Sequence, residues 1–357
     1  MEFLKSFPDV KKRWDRFWEG KPQELRPVYA LRLPKKGVKE TQIPEGGELI
    51  KGDIKDIGDR IEKWAETHEF FGDLVPHFRV QYGPDHFAAL LGTELELVNG
   101  NAATSWPIHF VEDWDKTEIH LHTEGFWWNR TIECIRELRK RFDDRLVIAP
   151  PNLQGGLDCL CAMRGAEMLS VDLMECPEAV ARALRKVDRC FIEAWRILSK
   201  EADIDKYGTV TRHWMYSSGN LAVPQCDFSC MISADMFRKF GMPSLICESE
   251  VLEQAVYHLD GPDAIRHLED ICTVKKISVI QWQPGAGEAA TTDWTDLHVK
   301  IDRLGKGQIV DGPAEKVLKI AERINNPRVF CLVRVETRDE ALRFEEELVK
   351  IHTKEKK

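Results

Sequence analysis

The sequence has no run approaching the roughly 20 consecutive apolar residues that a membrane helix needs, which argues against a spanning segment. Its first residues, Met1-Glu2-Phe3-Leu4-Lys5-Ser6, hold no apolar core long enough for a secretory leader. A cytoplasmic location is the resulting expectation. An excess of positive charge is also missing. The 51 basic side chains are outnumbered by 60 acidic ones, for a net charge of −9. Such a chain is a poor polyanion binder, so nucleic acid is excluded as a general partner. The ten cysteines form no paired C-x-x-C units, which excludes a zinc ribbon or a dithiol redox motif. Scattered free thiols fit a reducing compartment. No G-x-G-x-x-G follows an early strand, and neither a P-loop nor a G-x-S-x-G elbow occurs. These gaps argue against a dinucleotide fingerprint, a nucleotide cradle and a serine-hydrolase nucleophile. No repeat or low-complexity tract is visible, and the only charge run, Lys354-Glu355-Lys356-Lys357, reads as a frayed end.

What is present is an ordinary globular mixture, 43% apolar and 31% charged, long enough for one large domain. Residues 9–18 predict an amphipathic helix with Val10, Trp14, Phe17 and Trp18 near one face, closed by Pro22 and Pro27. Strand candidates follow at 28–31, 146–149, 209–211, 244–247, 255–258, 277–282, 308–311 and 329–333. Helical periods fall at 54–71, 177–199, 262–272, 314–324 and 338–352. Pro177 suits the first turn of its helix, where a missing N–H costs nothing. This alternation predicts an α/β fold with a parallel sheet. About eight strands fit a (β/α)₈ TIM barrel, with residues 1–357 as one domain and 1–27 as an N-terminal helical extension. A doubly wound open sheet is the alternative.

In a barrel the chemistry sits where strands end. Three strand ends here carry residues that are not turn formers. His258-x-Asp260 is the sharpest. Alternation puts an imidazole and a carboxylate on one face, where they could share a metal or act as an acid–base pair. The plainer alternative is that Asp260 caps the next helix and His258 is a satisfied core residue. Asp227 lies in the loop Gln225-Cys226-Asp227-Phe228-Ser229-Cys230, as a catalytic carboxylate or as part of a helix entry. Gln281 and Trp282 offer amide donors and a stacking surface. His213, Trp214, Tyr216 and Tyr257 complete the candidate substrate-binding set. Trp106, Trp127, Trp128 and Trp294 are further candidates for pocket walls. Cys159-x-Cys161 reads as core, and His120 and His122 as a surface strand.

The pattern resembles the uroporphyrinogen decarboxylase superfamily of (β/α)₈ barrels, which includes corrinoid-linked methyltransferases. The resemblance runs from about residue 70 to 350. Tyr82-Gly83-Pro84-Asp85-His86-Phe87-Ala88-Ala89-Leu90-Leu91-Gly92 carries it, followed by Arg164-Gly165-Ala166-Glu167-Met168-Leu169-Ser170-Val171-Asp172-Leu173, Pro177-Glu178-Ala179-Val180 and His258-Leu259-Asp260-Gly261. The decarboxylase's arginine-rich first segment is only partly matched by Arg26-Pro27-Val28-Tyr29-Ala30-Leu31-Arg32. Its pocket aspartate has no counterpart near Gln81-Tyr82-Gly83. The methyltransferase branch is the closer likeness. That branch holds zinc with a His-x-Cys and a distant Cys. Here His258-x-Asp260 is similar to the first element, with Asp in place of Cys, and Cys331 is similar to the second.

The resemblance implies zinc held by His258, Asp260 and Cys331, with Asp227, His258 and Asp260 as catalytic groups. It implies methyl transfer between a small methylated substrate and a corrinoid protein or related acceptor. The corrinoid would be carried by a separate partner, and a homodimer is plausible for the superfamily. A metal-free lyase acting on a small carboxylic acid is the alternative enzyme. A ligand-binding barrel without turnover is the non-enzymatic one.

Overall fold

In chain order the strands are β1 (Val28–Pro34), β2 (His68–Gly72), β3 (His77–Arg79), β4 (Glu94–Leu97), β5 (Ser105–Ile108), β6 (Val147–Ala149), β7 (Thr209–Val210), β8 (Tyr216–Ser217), β9 (Leu221–Ala222), β10 (Gln254–Asp260), β11 (Ile277–Gln283), β12 (Gly307–Pro313) and β13 (Val329–Arg334). The structure, a computed structural model, describes residues 1–97 and 105–354. Residues 355–357 of the C-terminal charge run lie outside the described residues.

Strands β1, β13, β12, β11, β10 and β9 pair in that order, all parallel. Their side chains alternate across the sheet, as a pleated strand requires. Val28, Ala30, Val256, Val279, Ile309 and Phe330 join Val147 of β6 and Val210 of β7 in one inner cluster. Strands from every part of the chain therefore surround a common interior, and the sheet is curled. The outward positions of β1 and β13, such as Tyr29, Leu31, Cys331 and Val333, pack instead with Val317, Ile320 and Phe344 of the C-terminal helices.

The hydrogen bonding does not show the closed eight-stranded barrel expected from the sequence. β2 returns antiparallel along β1 and takes its free edge. β3 pairs with β6, in a separate two-stranded parallel unit. β7 likewise turns straight back into β8 as an antiparallel hairpin. The fold is an α/β assembly with a curled parallel half-barrel and flanking helices.

The N-terminal helix α1 (Phe7–Trp18) closes one end of this interior. Val10, Trp14, Phe17 and Trp18 are all buried, in the same cluster as the inward strand residues. The two indole N–H groups find carbonyls there: Trp14 donates to Asp73 (2.8 Å) and Trp18 to Tyr216 (2.7 Å). Each buried indole is thus hydrogen-bonded as well as packed.

Three segments differ from the reading of the sequence. His120 and His122 lie in no strand; their rings stack on one another in the stretch before the helix Phe126–Phe142. Residues 244–247 lie in the helix Met242–Glu250, not in a strand. The helix begun at Ile54 ends at Thr67, because residues 68–72 are drawn into β2. No helix among the described residues is long and apolar enough to cross a membrane.

Candidate metal centre

Strand β10 brings the central residues together. Ala255, Tyr257 and Leu259 pack into the core shared with the helices, whereas Val256 faces the interior. His258 and Asp260 follow Val256 on the inner face, at the C-terminal end of the strand. Gln281 lies beside His258 in the parallel register with β11. Its amide N–H donates to the Trp282 carbonyl at 2.9 Å, which fixes the amide orientation. The Gln281 oxygen then accepts the His258 Nδ1–H. His258 is left with its Nε2 lone pair free to point into the site.

Asp227 arrives from the loop after β9. Gln225 forms a parallel bridge to His258, and the His258 N–H donates to the Pro224 carbonyl at 3.1 Å. The carboxylate of Asp158, from the helix Gly156–Arg164, accepts the backbone N–H groups of both Asp227 and Phe228 at 2.9 Å. The Gln225 amide holds one Asp227 oxygen at 2.8 Å. The other, Oδ1, is buried without a hydrogen-bond partner and lies 4.0 Å from His258 Nε2. One ligand atom each from Asp227, His258 and Asp260 falls within 4.8 Å of the others.

The electrostatics follow from crowding charge in a partly buried place, where the Asp227 side chain is still 45% exposed. Burial, then the charges of Asp158 and Asp260, push the Asp227 carboxyl up to about 8. Burial also raises Asp158 and Asp260. His258 is lowered to about 3 by burial and by the neighbouring Arg212 guanidinium. The imidazole is therefore a neutral ligand rather than a cation. Carboxylates that repel one another, an orphaned inward oxygen and a bare imidazole nitrogen together fit a divalent cation. One nitrogen and two oxygen donors leave room for an open coordination position.

The other expected residues divide by strand parity. His213 sits at the tip of the β7–β8 hairpin, where its ring stacks 5.7 Å from that of His258. The Arg212 Nε donates to its Nε2 at 3.1 Å. Trp214, beside it with φ +64°, faces a cavity and lies against the Arg32 guanidinium.

Four residues are not brought to the centre. Cys331 is buried on the outward face of β13 among Val317, Ile320 and Phe344, so the zinc set His258, Asp260 and Cys331 does not assemble. Tyr257 and Trp282 occupy outward positions on β10 and β11. Trp282 packs edge-on to Trp294, ring centroids 4.9 Å apart. Tyr216 lies at the end of the interior closed by α1, edge-on to Phe7 and donating to the Tyr207 carbonyl.

Asp158 and Arg212 were not anticipated. Asp158 follows a strand and loop in the first turn of a helix, a position where an acid is ordinarily read as a helix cap. A cavity of about 420 Å³ opens beside the centre, lined by Asp85, Trp106, His109, Asp158, Cys161 and Asp227 among others. Trp106 thus lines a pocket wall, as its place in the sequence suggested.

No family model matches the chain, and no curated protein matches it in sequence. By structure it is similar to a methyltransferase from Methanosarcina mazei. The TM-score is 0.61, over 98% of this chain and 99% of that chain, at 12% sequence identity. Shared architecture at that identity shows that the two chains have the same fold.

Proposed function

We propose that this chain is a metal-dependent methyl-transfer enzyme whose centre is formed by Asp227, His258 and Asp260. The observation that carries the reading is the convergence of one ligand atom each from Asp227, His258 and Asp260 within 4.8 Å at the C-terminal end of β10, with His258 Nε2 4.0 Å from Asp227 Oδ1. Methyl transfer itself rests on the likeness of fold and on the family resemblance of the sequence. The neutral imidazole, the N/O donor set and the open position favour zinc. A zinc ion there would supply Lewis acidity toward the heteroatom that gives up the methyl group.

The residues of the chain have distinct tasks in this reading. Gln281 orients His258 and keeps its proton on Nδ1. Asp158 and Gln225 fix the loop that presents Asp227. The cavity beside Trp106 and His109 admits the substrate. The methyl carbon changes partners: its bond to the substrate heteroatom breaks as the bond to the acceptor nucleophile forms. The heteroatom keeps the electron pair and takes a proton on release. The acceptor in this proposal is the cobalt of a separate corrinoid protein.

A second reading has its own observation. A carboxyl raised to about 8, as Asp227 is, carries a proton at neutral pH and could donate it in a metal-free lyase reaction.

The test is a screen of methylated amines, ethers and thioethers with zinc-loaded protein and reduced cobalamin, following methylcobalamin by absorbance. Transfer that disappears in Asp227→Asn is the expected result. Decarboxylation of small acids by zinc-free protein, with no methyl transfer, would instead establish the lyase.

A further inference from the structure

Asp227 and Asp260 reach the centre on different segments, and one buried histidine ties those segments together. Asp227 opens the 3₁₀ turn Asp227–Met231. Asp260 ends β10, and Gly261, at φ +79°, leads from it into a second 3₁₀ turn, Pro262–His267. The His267 ring, at the end of that second turn, is completely buried. Its Nε2 lies 3.0 Å from the Ser229 carbonyl in the middle of the first turn. A carbonyl only accepts, so Nε2 carries the ring proton and donates it. Nδ1 is buried without a hydrogen-bond partner. Burial lowers the pKa of the ring, against the opposing pull of the Ser229 carbonyl. His267 is therefore a neutral imidazole in one fixed tautomer.

Packing fixes the ring as well. Phe237 lies against it, ring centroids 4.4 Å apart at 33°. On the side of the first turn, Asp158 holds the beginning through the N–H groups of Asp227 and Phe228, and His267 holds the middle through Ser229. The other donor to the Ser229 carbonyl is the Ile232 N–H at 3.3 Å, which belongs to the same segment and ties it to nothing else. On the side of the second turn, the Gly261 N–H donates to the Gln283 carbonyl at 2.8 Å, and its carbonyl accepts the Ala264 N–H at 3.1 Å. Asp260 is thereby joined to His267 through a short, hydrogen-bonded turn. A displacement of one turn along the other changes the separation of the two carboxylates. Metal ligands tolerate little of this, since a working site is held within about 0.5 Å of its productive geometry.

We infer that His267 is a positioning residue for the metal centre: its hydrogen bond to the Ser229 carbonyl clamps the turn that bears Asp227 to the turn that follows Asp260, and so sets the distance between the two carboxylates. The clamp stands on the geometry alone, and its consequence for metal rests on the proposed function. His267 acts through Ser229 and not at the metal. It differs in this from Gln281, which orients the ring of a ligand directly.

Zinc affinity of the full chain, read by competition with a chromogenic chelator beside thermal melting of the zinc-free protein, tests the inference. His267→Phe keeps a ring against Phe237 and removes the N–H. Its zinc affinity should fall about tenfold, the scale of a lost buried hydrogen bond. His267→Gln restores an amide N–H at similar reach and should bind zinc within about threefold of the wild type, whatever it does to the melting temperature. A residue that only stabilises the fold would lower the melting temperature and leave zinc affinity unchanged in both variants. That result would overturn the inference, as would equal losses of zinc affinity in the two. If His267→Phe does not fold, His267→Asn, whose shorter side chain falls short of Ser229, takes its place. A wild type that takes up no zinc defeats the proposed function, and the clamp is then read from hydrogen exchange of the zinc-free chain. The Ile232 amide, which shares the Ser229 carbonyl, should exchange about tenfold faster in His267→Phe than in the wild type. Unchanged exchange there would defeat the clamp.

Discussion

Gln281 decides which nitrogen of His258 faces the centre. Its amide is locked by the Trp282 carbonyl, so its oxygen holds the Nδ1 proton and Nε2 stays available. Gln281→Leu removes that support while keeping the bulk of the side chain. Zinc affinity should fall about 10–100-fold, the usual effect of losing a partner behind a metal-bound histidine. Gln281→Glu restores an acceptor and should recover much of it. Competition with a chromogenic chelator measures both. His258 and Asp260 were legible in the sequence because two polar residues in alternate positions stand out in an apolar strand. Cys331 was not, because Val329-Phe330-Cys331-Leu332-Val333 is apolar throughout. Nothing in such a run says which alternate set faces the interior; only the packing of Phe330 inward and Cys331 outward does. Tyr257 and Trp282 failed by the same parity, each adjacent in sequence to a residue of the centre and pointing the opposite way.

At the scale of elements, α1 shows what a 3.6-residue period makes visible. The four large apolar side chains predicted to share a face are the four that close the end of the interior. Trp14 is completely buried and hydrogen-bonded to the Asp73 carbonyl. Trp14→Ala should cost about 3–5 kcal/mol of stability, as other large-to-small core changes do. Chemical denaturation measures this, and zinc affinity of the folded fraction should not change, since α1 is remote from Asp227, His258 and Asp260. The long helices were legible for the same reason as α1. Strands of two or three residues, such as β3, β8 and β9, are too short for any period to register. The Ser244-Leu245-Ile246-Cys247 run had the composition of a strand. It is helical because its neighbours on both sides are, and composition over four residues cannot weigh that.

For the whole molecule, buried neutral histidines set the acid limit of stability. His86 is fully buried and is lowered to about 3 by desolvation. Its Nδ1 accepts the Tyr82 N–H at 3.2 Å and its Nε2 lies 2.9 Å from the Thr131 hydroxyl, so a second ring proton would face a donor. The unfolded chain takes up that proton near 6.5, whereas the folded one refuses it until about 3. Stability is therefore undiminished by this group above 6.5 and falls as the pH drops below it, by about 1.4 kcal/mol per unit. Urea denaturation between pH 7 and 4.5 should show that slope, and His86→Gln should flatten it. The overall architecture was legible as α/β from strand–helix alternation. Closure was not, because whether β1 offers its edge to β3 or to β2 depends on an antiparallel return made after the two helices 46–51 and 54–67, and no residue pattern records that choice.

The central claim is a metal held by Asp227, His258 and Asp260, and elemental analysis of purified protein tests it most directly. Wild type, His258→Ala, Asp227→Asn and Cys331→Ala are compared after equal exposure to zinc and removal of the excess. The account predicts stoichiometric zinc in the wild type and in Cys331→Ala, and its loss from the other two. A wild type without zinc, or zinc that follows Cys331 in place of Asp227, would contradict it.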